Sequence, residues 1–154
     1  MIEMTFFMPA EESSWRRSWR LPAGQDAQSL SEAALHYDLF FVRIVLKVDD
    51  KYFIGPNAYV PLFDFLCVVS IAIKELNLGQ ATTITFPENS REIRIRPRGQ
   101  QLEIDALDRG VAASLSRERF MEALLRLHES GTKILSQEVP GITENPFMSK
   151  IYLD

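Results

Sequence analysis

Residues 38–76 read DLFFVRIVLKVDDKYFIGPNAYVPLFDFLCVVSIAIKEL, and this stretch decides the fold class. Its first part alternates. Phe40, Val42, Ile44, Leu46 and Val48 fall on one side of an extended chain, and Phe41, Arg43, Val45 and Lys47 on the other. Period-two alternation is the signature of a strand with one face on a core and the other toward solvent. Asp49-Asp50 supplies turn chemistry, and KYFIG reads as the returning strand of a hairpin. Gly55-Pro56-Asn57 is expected to break the sheet. A helix is then expected from Pro61, since proline suits the first helical position, where its missing N–H has no partner to lose. Asp64 in the first turn meets the positive end of the helix dipole. The helix should stop near Asn77, with Gly79 as a left-handed terminator. It carries so few polar residues that it must be covered on most sides.

Outward from this block, residues 2–8 form an apolar opening strand that ends at Pro9. Residues 9–31 form an irregular polar arm containing WRRSWR, punctuated by Pro22 and Gly24. ATTITF, REIRIRP and QLEIDAL read as three further strands, with turns at Pro87-Glu88-Asn89-Ser90 and Arg98-Gly99-Gln100. Ser116 is a good N-cap for a final helix, because its hydroxyl can accept an orphan backbone N–H. Phe120, Leu124, Leu127, Gly131 and Ile134 recur at helical spacing. One helix to about Gln137 is expected, tolerating Gly131 at about 1 kcal/mol. Residues 138–154 read as an extended tail. The expectation is one α+β domain over residues 1–154: an antiparallel sheet of about five to six strands, with two helices packed on it in the order β-β-β-α-β-β-β-α.

The chain has 154 residues, of which 46% are hydrophobic and 25% charged, with a net charge of −4. Those are the proportions of a globular domain. The negative balance argues against a general nucleic-acid binder, whose affinity comes from neutralising phosphates. Its one cysteine, Cys67, excludes an internal disulfide. The N-terminal stretch lacks the charge and apolar pattern of a secretory signal. No apolar run reaches the roughly 20 residues of a membrane span. A cytoplasmic protein is expected.

Chemistry-bearing motifs are missing. His36 and His128 belong to no metal-ligand spacing. Cys67 sits in the most apolar helix and reads as a small buried hydrophobe. The glycines form no phosphate cradle. No catalytic, metal or cofactor-binding residue is assigned, and the expectation is a protein that is not an enzyme. His36 and Asp38 are the one pair that a strand would point to the same side.

Three features suit recognition. Trp15, Arg16, Trp19 and Arg20 have hot-spot composition, burying much area while keeping a polar handle. In a helix, Trp15 and Trp19 would share a face. Arg94 and Arg96 alternate on one strand and could meet an acidic partner or a nucleic-acid backbone, the latter making the chain a nucleic-acid-associated regulator, or form a solvated face beside Glu92 and Glu103. The first helix could leave an apolar patch that joins a homodimer.

Residues 37–137, from the hairpin through the PLFDFL helix and the meander to FMEALLRL, resemble in layout several families of small uncharacterised bacterial proteins. Some of these are immunity proteins encoded beside secreted toxins. The resemblance implies a cytosolic protein that binds and blocks a toxin, and needs no catalytic residues to do so.

Overall fold

The structure is a computed structural model that describes residues 1–86 and 91–153. The turn expected at Pro87-Glu88-Asn89-Ser90 lies outside the described residues. Strands β1 (Ile2–Phe7), β2 (Phe41–Val48) and β3 (Lys51–Pro61) form one antiparallel sheet in that order. Helix α1 (Leu62–Asn77) leads to a second antiparallel sheet of β4 (Thr82–Thr85), β5 (Glu92–Arg98), β6 (Gln101–Ala106) and β7 (Val111–Ser116). Helix α2 (Arg117–Glu138) follows.

The α+β class is as expected, but the single sheet of five to six strands is corrected to two sheets of three and four strands. The junction explains the split. Where β3 approaches β7, the links run from side chain to backbone: Lys51 Nζ donates to the Ala112 carbonyl at 2.7 Å, and Arg109 Nε to the Tyr52 carbonyl at 2.8 Å. The expected order also lacked β7. Its sequence, VAASLS, has the low strand propensity of alanine and serine. Pairing with β6 makes it a strand after a turn at Gly110, where φ is +63°.

In β2 the even positions from Val42 to Val48 are buried, as alternation predicts. The other face is not open: Phe41 and Val45 are only 7% and 4% exposed. Gly55-Pro56-Asn57 does not break the sheet. Ile44 pairs with Ala58 and Leu46 with Ile54, so β3 carries its extra residues there as a bulge. Phe40 lies before the strand in a left-handed conformation, φ +62°. Its N–H donates to Ser18 O, and its carbonyl accepts from Leu62 N, the first residue of α1. This residue therefore ties both the arm and the helix start to the sheet.

Residues from both sheets and both helices form one hydrophobic cluster, including Phe6, Leu46, Phe63, Phe65, Ile95, Ile104, Phe120 and Leu124. Gly79 ends α1 at φ +74°, and the Ser116 hydroxyl caps α2 by accepting from Arg119 N, both as expected. The segment beyond Glu138 is not an extended tail. It folds into 3-10 turns at Ile142–Glu144 and Pro146–Ile151. Ile142, Met148 and Ile151 in it are buried, and Pro140 and Pro146 ended the sequence pattern without ending the packing. No helix among the described residues is long and apolar enough to cross a membrane.

Candidate functional site

The arm carries Trp15 onto the outer face of the β1–β3 sheet. Residues Ser14–Trp19 form a 3-10 helix. With three residues per turn, positions four apart point about 120° away from each other. Trp15 and Trp19 therefore do not share a face, as an α-helix would have required. Trp19 turns inward: its Nε1 donates to the Phe41 carbonyl at 2.8 Å, and its ring lies 5.2 Å from Phe40. Trp15 covers Phe41 at 5.0 Å and stacks on Tyr59 at 4.7 Å, with planes 10° apart, yet stays 38% exposed. This cover is why Phe41 is buried.

The register extends the Trp15–Tyr59 stack into a row. Arg43 pairs across β3 with Tyr59 and across β1 with Phe7. Its guanidinium lies 4.1 Å above the Phe7 ring and donates to the Pro56 carbonyl at 3.0 Å. Phe7, Arg43, Tyr59 and Trp15 thus make one continuous aromatic and cationic surface. Four residues farther along β2, Lys47 sits 5.0 Å over Tyr52 on β3. Held planar groups of this kind lose little rotamer freedom when they meet a partner. Sequence reasoning found Trp15 but missed Phe7, Arg43 and Tyr59. Their alternation was visible; the side-by-side register was not.

The other expected contacts are distributed elsewhere. Arg16 donates to Pro9 O at 3.4 Å and lies 3.8 Å from Glu138. Arg20 is exposed, in a shallow hollow with Glu11, Arg16, Trp19 and Glu138. Arg94 and Arg96 share Asp105, at 3.3 and 2.8 Å. Glu92 and Glu103 flank them, and Arg98 pairs with Glu103 at 3.2 Å. The arginine row is therefore half of a charge-matched ladder across β5 and β6.

His36 does not work with Asp38 on a strand, because Ala34–Asp38 is a π-helical turn. Its Nδ1 lies 2.6 Å from Asp64 Oδ1 on α1, and its Nε2 lies 3.7 Å from Glu32. Glu32 also pairs with Lys150. That hydrogen bond, joined by the Lys150 charge, holds the Glu32 carboxyl below its ordinary range, with His36 adding to the effect. The cluster ties the turn, α1 and the C-terminal segment together. Cys67, one turn beyond Asp64, has its thiol pushed up to about 12, chiefly by burial and further by the Asp64 charge. A thiol held protonated is a poor nucleophile. Cys67 should therefore resist iodoacetamide at pH 8 in the folded protein and react fully in denaturant, as mass spectrometry would show. Rapid native alkylation would contradict this. His128 is buried, with Nε2 at 2.5 Å from Ile151 O, which anchors the C-terminal segment.

Among the described residues, no group of three or more His, Cys, Asp or Glu is placed to hold a metal ion. Comparison with known proteins finds no family model that matches this chain, and neither a curated protein nor a solved structure that matches it.

Proposed function

We propose that this chain is a non-catalytic module that binds another protein through the outer face of its three-stranded sheet. The observation that carries the reading is the continuous row Phe7, Arg43, Tyr59 and Trp15. Tryptophan, tyrosine and arginine dominate interface energetics because each buries a large area and keeps a polar group for the rim. Here they stand side by side on a rigid sheet, already ordered by stacking and by the Arg43–Pro56 hydrogen bond. The layout resemblance supports a toxin as the partner, which makes the chain an immunity protein acting in the cytoplasm.

The test is capture of the purified toxin-like product of a neighbouring gene. Arg43→Glu should weaken binding by about 30-fold or more, the size of a hot-spot loss. Trp15→Ala should act in the same direction. Arg43→Glu should cost about 1–2 kcal/mol of stability, from the lost Phe7 contact and Pro56 hydrogen bond, and thermal melts should show that it still folds. Undiminished binding by both variants would remove the reading.

A homodimer joined through α1 is the second reading. Ile71 on that helix and Leu78 at its C-cap are 54% and 73% exposed at a seven-residue spacing, which places them near one side. Sedimentation at micromolar concentration separates the two: a strict monomer leaves the sheet face as the site. The arginines of β5 lend no support to a nucleic-acid reading, because Asp105 and Glu103 already match their charge.

A further inference from the structure

A second site lies where the two sheets meet under α2. A cleft of about 530 Å³ is lined by Met1, Val48 and Asp49 on one side, and by Ser114, Ser116, Arg119, Glu122 and Arg126 on the other. It contains none of the residues of the aromatic row. We propose that this cleft binds a small multivalent oxyanion, a polyphosphate or a polycarboxylate.

Three observations carry the proposal. First, Arg119 and Arg126 have no ion-pair or hydrogen-bond partner for their guanidinium groups among the described residues. Several of the chain's other arginines are matched: Arg16 with Glu138, Arg94 and Arg96 with Asp105, and Arg98 with Glu103. Second, the two arginines are seven residues apart on α2. That spacing returns to the same side of the helix and separates them by about 10.5 Å along its axis. Ala123, also lining the cleft, is too small to fill the space between them. Arginine side chains are long enough to reach toward each other across that gap, and each guanidinium fork matches the paired oxygens of one phosphate or carboxylate group. Third, β7 is the edge strand of its sheet, so part of its backbone polar groups face away from β6, beside the Ser114 and Ser116 hydroxyls. Arginine and hydroxyl donors thus border one cleft.

The opposing charges fix the ligand class. Glu122 faces the cleft, and Asp49 does too, though it is held at 2.5 Å by the Met1 ammonium. A singly charged anion gains little against Glu122. A ligand with two or more charges can engage both arginines and outweigh it.

The experiment is calorimetry on the full chain at low salt, with pyrophosphate and citrate as probes and poly-glutamate as a third arm. One of the two small probes should bind with a dissociation constant below about 1 mM, and which one distinguishes phosphate from carboxylate. Arg119→Ala and Arg126→Ala should each weaken it about tenfold or more. Glu122→Gln should tighten it, and Arg17→Ala, an exposed arginine outside the cleft, should leave it unchanged. Thermal melts check that the variants fold. Three results overturn the proposal: no saturable binding of either small probe; an equal loss in Arg17→Ala, which would mark general charge attraction; or binding of poly-glutamate alone, which would give the cleft to a partner's acidic segment. Failure here leaves the toxin-capture test untouched, because that test reads Arg43 and Trp15.

Discussion

Replacing Gly131 with valine should destabilise the protein by about 3 kcal/mol or more, the upper range for overpacking a filled core. Gly131 lies inside α2, where glycine alone costs about 1 kcal/mol relative to alanine. Propensity by itself therefore predicts that Gly131→Ala stabilises. The packing predicts the reverse. An ideal Cβ at this position would stand 2.6 Å from Leu66 Cδ2 and 2.9 Å from Phe6 Cε2. Both are side-chain ends, but both belong to the buried cluster and have little room to withdraw. Phe6 is itself fixed edge-on to Phe65 at 5.9 Å. The alanine variant should lose about 1–2 kcal/mol net, as overpacking exceeds the propensity gain. The valine adds two methyl groups to the same contact. Urea denaturation of the three proteins decides the matter: a stability order of Ala above Gly would show that α1, α2 and β1 do not meet at this point.

Asn145→Ala should cost about 3–4 kcal/mol, the sum expected from leaving several buried backbone groups without partners. The Asn145 side chain is 2% exposed within the C-terminal segment. Its amide donates to the Ala27 carbonyl at 2.9 Å and to the Leu30 carbonyl at 3.1 Å. Its oxygen accepts from Phe147 N at 3.0 Å and so caps the last 3-10 turn. One side chain thereby joins the arm to the C-terminus across more than a hundred residues. Asn145→Asp is the informative companion. It keeps the cap but turns two donors into an acceptor that faces two carbonyls. Burial and those carbonyls must raise the carboxyl pKa of the folded state above its unfolded value of about 3.9. A raised acid binds more protons folded than unfolded, so stability falls as pH rises above the unfolded value. The aspartate variant should approach the parent protein at low pH and fall behind it at neutrality. A pH-independent deficit would show that the buried amide contacts do not set the cost.

Both effects involve positions whose importance local patterning understates. Gly131 read as a tolerated flaw in a helix, and Asn145 as part of an extended tail. The same contrast holds at the candidate site. Trp15 and the arginines of the arm stood out by composition. Arg43 looked like one charged residue on the outer side of a strand, and Phe7 like the end of another. Only the pairing of Phe7 with Arg43 and of Arg43 with Tyr59 brings them to Trp15. His36 shows the converse. Adjacency suggested Asp38, and chain folding supplied Asp64.

The sequence by itself determined the α+β class, the two long helices with their Ser116 cap and Gly79 stop, and the inward face of β2. These follow from period, capping and propensity, which act within a few residues. The tertiary structure decided the division into two sheets, the strand character of VAASLS, the inward turn of the C-terminal segment and the assembly of the aromatic row. Each depends on which distant backbone or side chain supplies a hydrogen-bond partner or covers an apolar surface. Residue order along the chain does not encode that choice locally.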